Sequence, residues 1–104
     1  MSATFRVLLT MDVAPGRAAE FEAAWSAVAA VVAADPANRG QALMRSCDQP
    51  HVYHVLSDWT DEAAFRSFER SPEHAANRTR LGPYRTGVAM TTMHVVAQLP
   101  ERSA

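Results

Sequence analysis

The chain has 104 residues, of which 48% are hydrophobic and 20% charged, and its 10 basic and 11 acidic residues leave a net charge of -1. A chain of this size forms one thin core, so a large pocket must be shared with a partner or left partly open. The balanced charge argues against a nucleic-acid partner, and no apolar run approaches the roughly 18 residues of a membrane span.

Cysteine content and chain organisation bear on location and domain number. The single cysteine, Cys47, cannot form an internal disulfide, and the N-terminus lacks the basic and apolar segments of a secretion signal. We therefore expect a cytoplasmic protein. No linker, repeat or low-complexity tract is present, which predicts one domain over residues 1–104, with a core at about 4–97 and a polar C-terminal tail at 99–104.

The chain begins with a predicted strand and a predicted helix. Residues 4–13 alternate, with one strongly apolar face, which is typical of a strand. Residues 14–16 break this pattern, and Glu20 falls in the first turn of the helix, where the dipole favours an acid. The helix ends near Asp35, and its buried stripe has the helical period: Phe21, Trp25, Val28 and Val32.

A hairpin is predicted next. Residues 38–40 form a turn, and the apolar runs 41–47 and 51–59 predict two strands connected by the three residues 48–50.

The remaining elements are two helices and a strand. Thr60 is predicted to cap the second helix, with Asp61 and Glu62 in its first turn and Phe65 and Phe68 as its buried pair. A short third helix begins with serine as cap and proline at its first position, residues 71–73. Residues 87–96 predict the last strand.

The predicted elements are four strands and a set of helices that can cover one face of the sheet. Their succession along the chain predicts a ferredoxin-like α+β fold of βαββαβ order. The third and fourth strands are apolar on both faces: Val52, His54 and Leu56 oppose Tyr53, Val55 and Trp59, and Val88 and Met90 oppose Ala89, Met93 and Val95. One helical layer covers only one face, and a bare apolar sheet is a liability in a monomer. We therefore expect a homodimer that packs sheet against sheet.

From residue 6 to residue 96 the chain resembles the antibiotic biosynthesis monooxygenase family. The resemblance rests on Phe21 with Trp25, on S-D-W-T-D-E-A-A-F at residues 57–65 and on S-P-E-H at residues 71–74. Three further stretches resemble members from bacterial aromatic (type II) polyketide and spore-pigment clusters: P-A-N-R-G-Q at 36–41, L-G-P-Y-R at 81–85 and M-T-T-M at 90–93.

The resemblance implies a dimeric α+β barrel that oxygenates a polycyclic phenol or anthrone with O2 and without metal, flavin or haem. The strand-end tryptophan of the family falls on Trp59, and the arginine six residues after the helix proline falls on Arg78. Val55 stands where anthrone oxygenases have an asparagine, and Phe65 where they have a tyrosine. Residues 69–70, Glu-Arg, stand where haem-degrading relatives have a histidine, so haem degradation is not expected.

Cofactor-free oxygenation requires an electron-rich substrate anion, an aromatic wall, a partner for the oxyanion and a base. Trp59 is the expected wall and indole donor, although a tryptophan that closes a strand is equally often core. Arg78 is the expected anion partner, although in a region crowded with arginines it can equally be a solvated helix charge.

The four histidines, at positions 51, 54, 74 and 94, are the natural base candidates because they titrate near neutrality. His51 and His54 are three apart on a strand and point to opposite faces, so we expect no metal site. On strict alternation Tyr53 lies on the tryptophan side and His54 in the dimer interface, whereas a bulge would move His54 to the pocket. His94 can line either face.

These arguments predict Trp59, Arg78 and His54 as catalytic residues. The predicted substrate-binding residues are Tyr53, Val55, Phe65, Trp25 and His94. No cofactor is expected. A polyketide cyclase is the alternative, favoured by Val55 and Phe65, and a third hypothesis is a non-catalytic subunit that assists a polyketide cyclase or reductase.

Overall fold

A computed structural model describes residues 4–100 of the chain. Four strands, three α-helices and one 3-10 turn follow in this order: β1 (Phe5–Val13), α1 (Ala18–Ala33), β2 (Asn38–Arg45), β3 (Val52–Trp59), α2 (Glu62–Glu69), α3 (Pro72–Leu81), the 3-10 turn (Gly82–Tyr84) and β4 (Arg85–His94). Within this part of the chain, no helix is both long and apolar enough to cross a membrane.

The strands form one antiparallel sheet in the order β2-β3-β1-β4. The central pair runs in register from Phe5 opposite Trp59 to Asp12 opposite Val52, without a bulge. Helices cover one face of this sheet, so the predicted ferredoxin-like α+β fold of βαββαβ order is confirmed.

Side chains alternate strictly across the two central strands, which separates the sheet into an inner face toward the helices and an outer face. The inner face holds the core: Phe5, Val7, Met11, Val13, Tyr53, Val55 and Trp59 are all buried. The helical stripe of α1 packs on it through Phe21, Val28 and Val32, while Trp25 is only partly buried. Leu8, His54 and Leu56, on the outer face, are half-buried.

The hairpin differs from its prediction at both ends. β2 begins at Asn38, inside the predicted turn, because a register shift between Asn38 and Gly40 accommodates the extra residue while pairing continues. Gly40 takes a φ of +141° there, which glycine tolerates best. The connection to β3 spans residues 46–51 rather than three residues, and Ser46 Oγ accepts hydrogen bonds from the amides of Asp48 and Gln49.

Side-chain caps set the starts of α2 and α3. Asp61, not Thr60, caps α2: its carboxylate accepts the amide of Ala64 at 2.8 Å, whereas the Thr60 amide donates to Ala37. The prediction for α3 is confirmed, since Ser71 Oγ accepts the amide of His74 and proline occupies the first turn.

The last strand lies two residues earlier than predicted, at 85–94. Arg85 pairs with Val13 beyond a register shift after Asp12, which extends the strand toward its N-terminus. At the other end, the amide of Val95 continues the pattern by donating to the Thr4 carbonyl.

Candidate functional site

A cavity of about 290 Å³ lies between the inner face of the sheet and the three helices. This volume is near the lower end of the roughly 300–1,000 Å³ typical of small-molecule sites. Val88 and Met90, on edge strand β4, line the cavity and are also exposed, so it opens to solvent beside that strand. Most of the lining is apolar: Val7, Leu9, Met11, Trp25, Val28, Val32, Val55, Trp59, Phe65, Phe68, Leu81, Val88 and Met90.

One wall is aromatic and is built by the junction of β3 and α2. The ring of Trp59 lies 5.4 Å from that of Phe65 and 5.1 Å from that of Phe68. The Phe68 ring in turn lies 4.8 Å from the imidazole of His74. These edge-on and tilted contacts stabilise the wall.

The tryptophan is tied down by a hydrogen bond as well as by packing. Trp59 is 1% exposed, and its indole Nε1–H donates to Ser57 Oγ at 3.1 Å. The indole hydrogen is therefore engaged with the protein rather than offered to a ligand. Because the Ser57 oxygen accepts this bond, its own hydroxyl hydrogen can be donated into the cavity that Ser57 lines.

The polar side of the cavity comes mainly from α3. His74, Asn77, Arg78 and Leu81 all line it, at helix positions i, i+3, i+4 and i+7, and therefore share one helix face. Arg85, the first residue of β4, and Glu69, the last of α2, complete this side. Gln41 also lines the cavity from β2, with its amide N–H donated to the Ala29 carbonyl.

Burial lowers the pKa of His74 below its ordinary value of 6.5, because partial exclusion of water penalises the charged imidazolium. Arg78 and Arg85 lower it further by repulsion, while Glu69 acts in the opposite direction. At neutral pH the cavity therefore presents a neutral imidazole beside two guanidinium groups.

The two arginines are held without carboxylate partners among residues 4–100. Arg78 Nη1 donates to the Glu69 carbonyl at 3.3 Å, and Arg85 Nη1 contacts the Met11 sulfur at 3.5 Å. The Glu69 carboxylate is instead paired with Arg66 at 3.1 Å. Burial and the neighbouring Arg78 lower the pKa of Arg85. This side of the cavity thus favours an anionic or strongly polarised oxygen in a ligand.

Five of the residues predicted for the site lie together around this cavity: Trp59, Arg78, Trp25, Val55 and Phe65. The other three do not line it. Tyr53 is on the inner face but lies under α1, where its ring packs on Phe21 and its hydroxyl donates to Glu22. Burial, and then the Glu22 carboxylate, raise the pKa of this phenol.

The two remaining predicted residues are histidines on strands. His54 is on the outer face, where Nδ1 and Thr10 Oγ1 form a hydrogen bond at 3.1 Å. His94 ends β4, and its ring meets that of Phe5 edge-on at 5.4 Å. The uninterrupted register of β1 and β3 keeps His54 away from the cavity within the same chain.

Sequence reasoning singled out neither Asn77 nor Arg85, and it placed His74 only among four equivalent histidines. The spacing of His74, Asn77 and Leu81 along α3 was the available signal, because positions i, i+3 and i+7 share one helix face. Among residues 4–100, no three His, Cys, Asp or Glu side chains come close enough together to hold a metal ion.

The chain matches the description "Antibiotic biosynthesis monooxygenase" over residues 4–80. It belongs to that family. The solved structure of SnoaB, a cofactor-independent oxygenase from Streptomyces nogalater, is 27% identical with a TM-score of 0.85, and the alignment covers 96% of this chain and 100% of SnoaB.

Two further proteins are similar to this chain, one in sequence and one in fold. Protein SchA from Streptomyces halstedii is 28% identical over 99 residues, which are 95% of this chain but 26% of SchA, so the chain spans about a quarter of that relative. A conserved protein from Methanosarcina mazei shares the fold, with 15% identity, a TM-score of 0.80 and coverage of 88% of this chain and 91% of the other.

Proposed function

We propose that this protein is a cofactor-independent monooxygenase that converts an aromatic polyketide intermediate, a phenol or anthrone, into a hydroxylated or quinone product in antibiotic or pigment biosynthesis. The observation that carries the proposal is the composition of the cavity, a mostly apolar, aromatic-walled space with Arg78 and Arg85 on its polar side. A flat polycycle fits such walls, and its oxygen can face the guanidinium groups.

For the quinone product the chemistry balances without an external reductant, because the substrate supplies all four electrons that reduce O2. For anthrone, C14H10O and O2 give anthraquinone, C14H8O2, and one water. Ionisation breaks an O–H or activated C–H bond, and the resulting anion passes one electron to O2. Recombination of the substrate radical with superoxide forms a carbon-bound peroxide anion. This anion takes back a proton from water and then loses water to leave the new C=O bond. The protein's task is to stabilise the anion and hold the ring plane.

Similarity to SnoaB, a cofactor-independent oxygenase, supports this chemistry. The alignment covers the whole of SnoaB, so the two proteins are compared over a complete domain. SchA is a second similar protein from Streptomyces, although the chain covers only a quarter of its length.

Oxygen uptake with anthrone in metal-free buffer tests the proposal. We expect consumption well above the rate in buffer alone, with one quinone formed per O2. Arg78→Ala should lower kcat/KM by about 100-fold, the usual loss for one oxyanion partner. Arg80→Ala is the matched control, since Arg80 lies on the same helix, is exposed and does not line the cavity. Uptake no faster than in buffer would refute the proposal.

Cyclisation of a polyketide is the second candidate, favoured by the apolar side chains of Val55 and Phe65 at the cavity wall. A cyclase needs shape and one acid or base rather than reaction with O2. Product mass separates the two functions: loss of water without gain of oxygen indicates cyclisation.

We also propose that the chain works as a homodimer, joined through the outer sheet face. Leu8, Leu56 and Met44 lie on that face, and Met44 is 40% exposed in the single chain. A second copy offers the same apolar face with its polar groups already paired. Sedimentation equilibrium should give twice the chain mass, and Leu56→Arg should give monomers. A wild-type chain that stays monomeric at high concentration would contradict this arrangement.

A further inference from the structure

Of the four histidines, all within the described residues 4–100, His74 alone lines the cavity. It stands in the first turn of α3, where its backbone is fixed by the Ser71 cap and its ring by the contact with Phe68. A half-buried, rigidly held imidazole at the polar side of an apolar cavity is a candidate for direct contact with a ligand.

The neighbouring amide favours one position of the ring hydrogen. Asn77 Nδ2 lies 3.5 Å from His74 Nδ1, and Asn77 is only 3% exposed. An amide nitrogen donates and does not accept, so this contact favours an unprotonated Nδ1 and a neutral imidazole with its single hydrogen on Nε2. A second hydrogen on Nδ1 would oppose the amide hydrogens, so this contact favours the neutral ring.

The charged groups around the imidazole act in the same direction. Arg78 on its own helix and Arg85 on β4 repel a second positive charge, while Glu69 on α2 opposes them but is already paired with Arg66. Asn77 also lines the cavity, and none of the hydrogen bonds within residues 4–100 uses its carbonyl oxygen. His74 and Asn77 together thus offer a ligand one donor, His74 Nε2–H, and one acceptor, the carbonyl oxygen of Asn77.

We propose that His74 binds the ionised phenolate or enolate oxygen of the substrate as a neutral Nε2–H donor, and that Asn77 is the positioning residue that keeps the hydrogen on Nε2. The substrate hydroxyl proton leaves to water, and His74 does not take it. A neutral donor suits reaction with O2, because a further full positive charge at the oxygen would hold back the electron that must be transferred. The inference rests on the proposed function for the kind of ligand bound.

The tautomer is tested first, on the unliganded protein. ¹⁵N spectra of the imidazole, assigned by comparison with His74→Gln, should show hydrogen on Nε2 and none on Nδ1. Asn77→Asp replaces the amide donor with a carboxylate acceptor, so it should move the hydrogen to Nδ1 and raise the titration midpoint of His74 by about one pH unit or more. Hydrogen on Nδ1 in the wild type would overturn the inference.

A matched pair of variants tests the donor role. His74→Phe keeps an aromatic ring against Phe68 but removes the donor, whereas His74→Gln supplies an amide N–H that cannot act as a base. With anthrone we expect kcat to fall about 100-fold or more for His74→Phe and less than about tenfold for His74→Gln. Equal losses in the two variants would overturn the donor role. His51→Gln, at an exposed residue outside the cavity, is the control.

Binding of 1,2-dihydroxyanthraquinone without oxygen separates this inference from the proposed function. This dye is already a quinone, and its colour reports ionisation of its hydroxyl group. Wild type and His74→Gln should bind the ionised dye, and His74→Phe should bind it at least about tenfold more weakly. If the dye behaves so but anthrone consumes no O2, the proposed function fails and the inference stands. If His74→Phe oxidises anthrone as fast as wild type, the inference fails and the function stands.

Discussion

The two faces of the sheet use polar groups in opposite ways. On the outer face they satisfy each other: Arg6 forms two hydrogen bonds with Asp58 at 2.7 and 2.9 Å, and Thr10 pairs with His54. On the inner face, polar groups project from α3 and β4 into an apolar cavity and are only partly satisfied. The outer pattern stabilises a surface, whereas the inner pattern leaves hydrogen-bonding capacity for a ligand.

This difference shows why residues on one strand have separate roles. Trp59 and His54, both on β3, are five positions apart and therefore on opposite faces. Trp59 packs in the aromatic wall, while His54 meets β1 across the outer surface. The contrast between the faces is open to direct measurement.

The largest effect should come from removing the centre of the inner wall. Trp59→Ala should lower the free energy of unfolding by about 3–5 kcal/mol, since it deletes a fully buried indole and its contacts. Leu56→Ala, three residues earlier on the outer face, should cost about 1–2 kcal/mol within the chain because that side chain is half-buried there. A further loss should depend on protein concentration, because Leu56 also lies in the proposed dimer interface. Urea denaturation at several protein concentrations measures both variants. Equal losses in the concentration-independent part would remove the distinction between the faces.

A smaller effect is expected from the outer ion pair. A double-mutant cycle with Arg6→Ala and Asp58→Ala should give a coupling of about 0.5–1 kcal/mol, because the pair is bidentate but about a fifth exposed on each side. The exposed Arg17 and Glu20 provide a control pair, for which we expect a weaker coupling. High salt should reduce both couplings. A coupling at Arg6 no larger than that at Arg17 would contradict the role assigned to the outer pair.

The smallest effect concerns pH. The folded pKa of His74 lies below 6.5, so as the pH falls through 6.5 the unfolded chain binds the proton first. The free energy of unfolding should therefore decrease from about pH 6.5 down to the folded pKa and be unaffected by this group at higher pH. Thermal unfolding of wild type and His74→Phe measures it, and the variant should show the shallower slope. Identical slopes would mean that the imidazole is not held neutral by the fold.

Much of the fold was predictable from local pattern. Alternation in residues 4–13 and the stripe from Phe21 to Val32 identify a strand and a helix because each periodicity follows from backbone geometry. The misplaced boundaries have physical causes of their own. The register shift beside Gly40 lets β2 start inside a predicted turn. The carboxylate of Asp61, rather than the side chain of Thr60, accepts the free amide of Ala64 in the first turn of α2.

Part of the site was predictable from strand alternation, helix periodicity and the family resemblance. Trp59 and Arg78 were expected from the family resemblance, and both line the cavity. His74 could not be chosen over His54 from the sequence, since His74 lies in a largely polar helix and His54 in an apolar strand, and neither pattern identifies the residue that lines the cavity. The roles of all predicted site residues stay predictions until the variants are measured.

The sequence by itself determined the periodicities, the serine cap of α3, the ferredoxin-like order and the family. Tertiary structure decided which residues meet, because α3 is placed by packing against α1 and α2 rather than by its own weakly amphipathic sequence. That placement brings His74, Asn77 and Arg78 over the inner face and leaves His54 on the outer one. Strand alternation assigns a side chain to a face, and only the packing of distant elements determines what that face encloses.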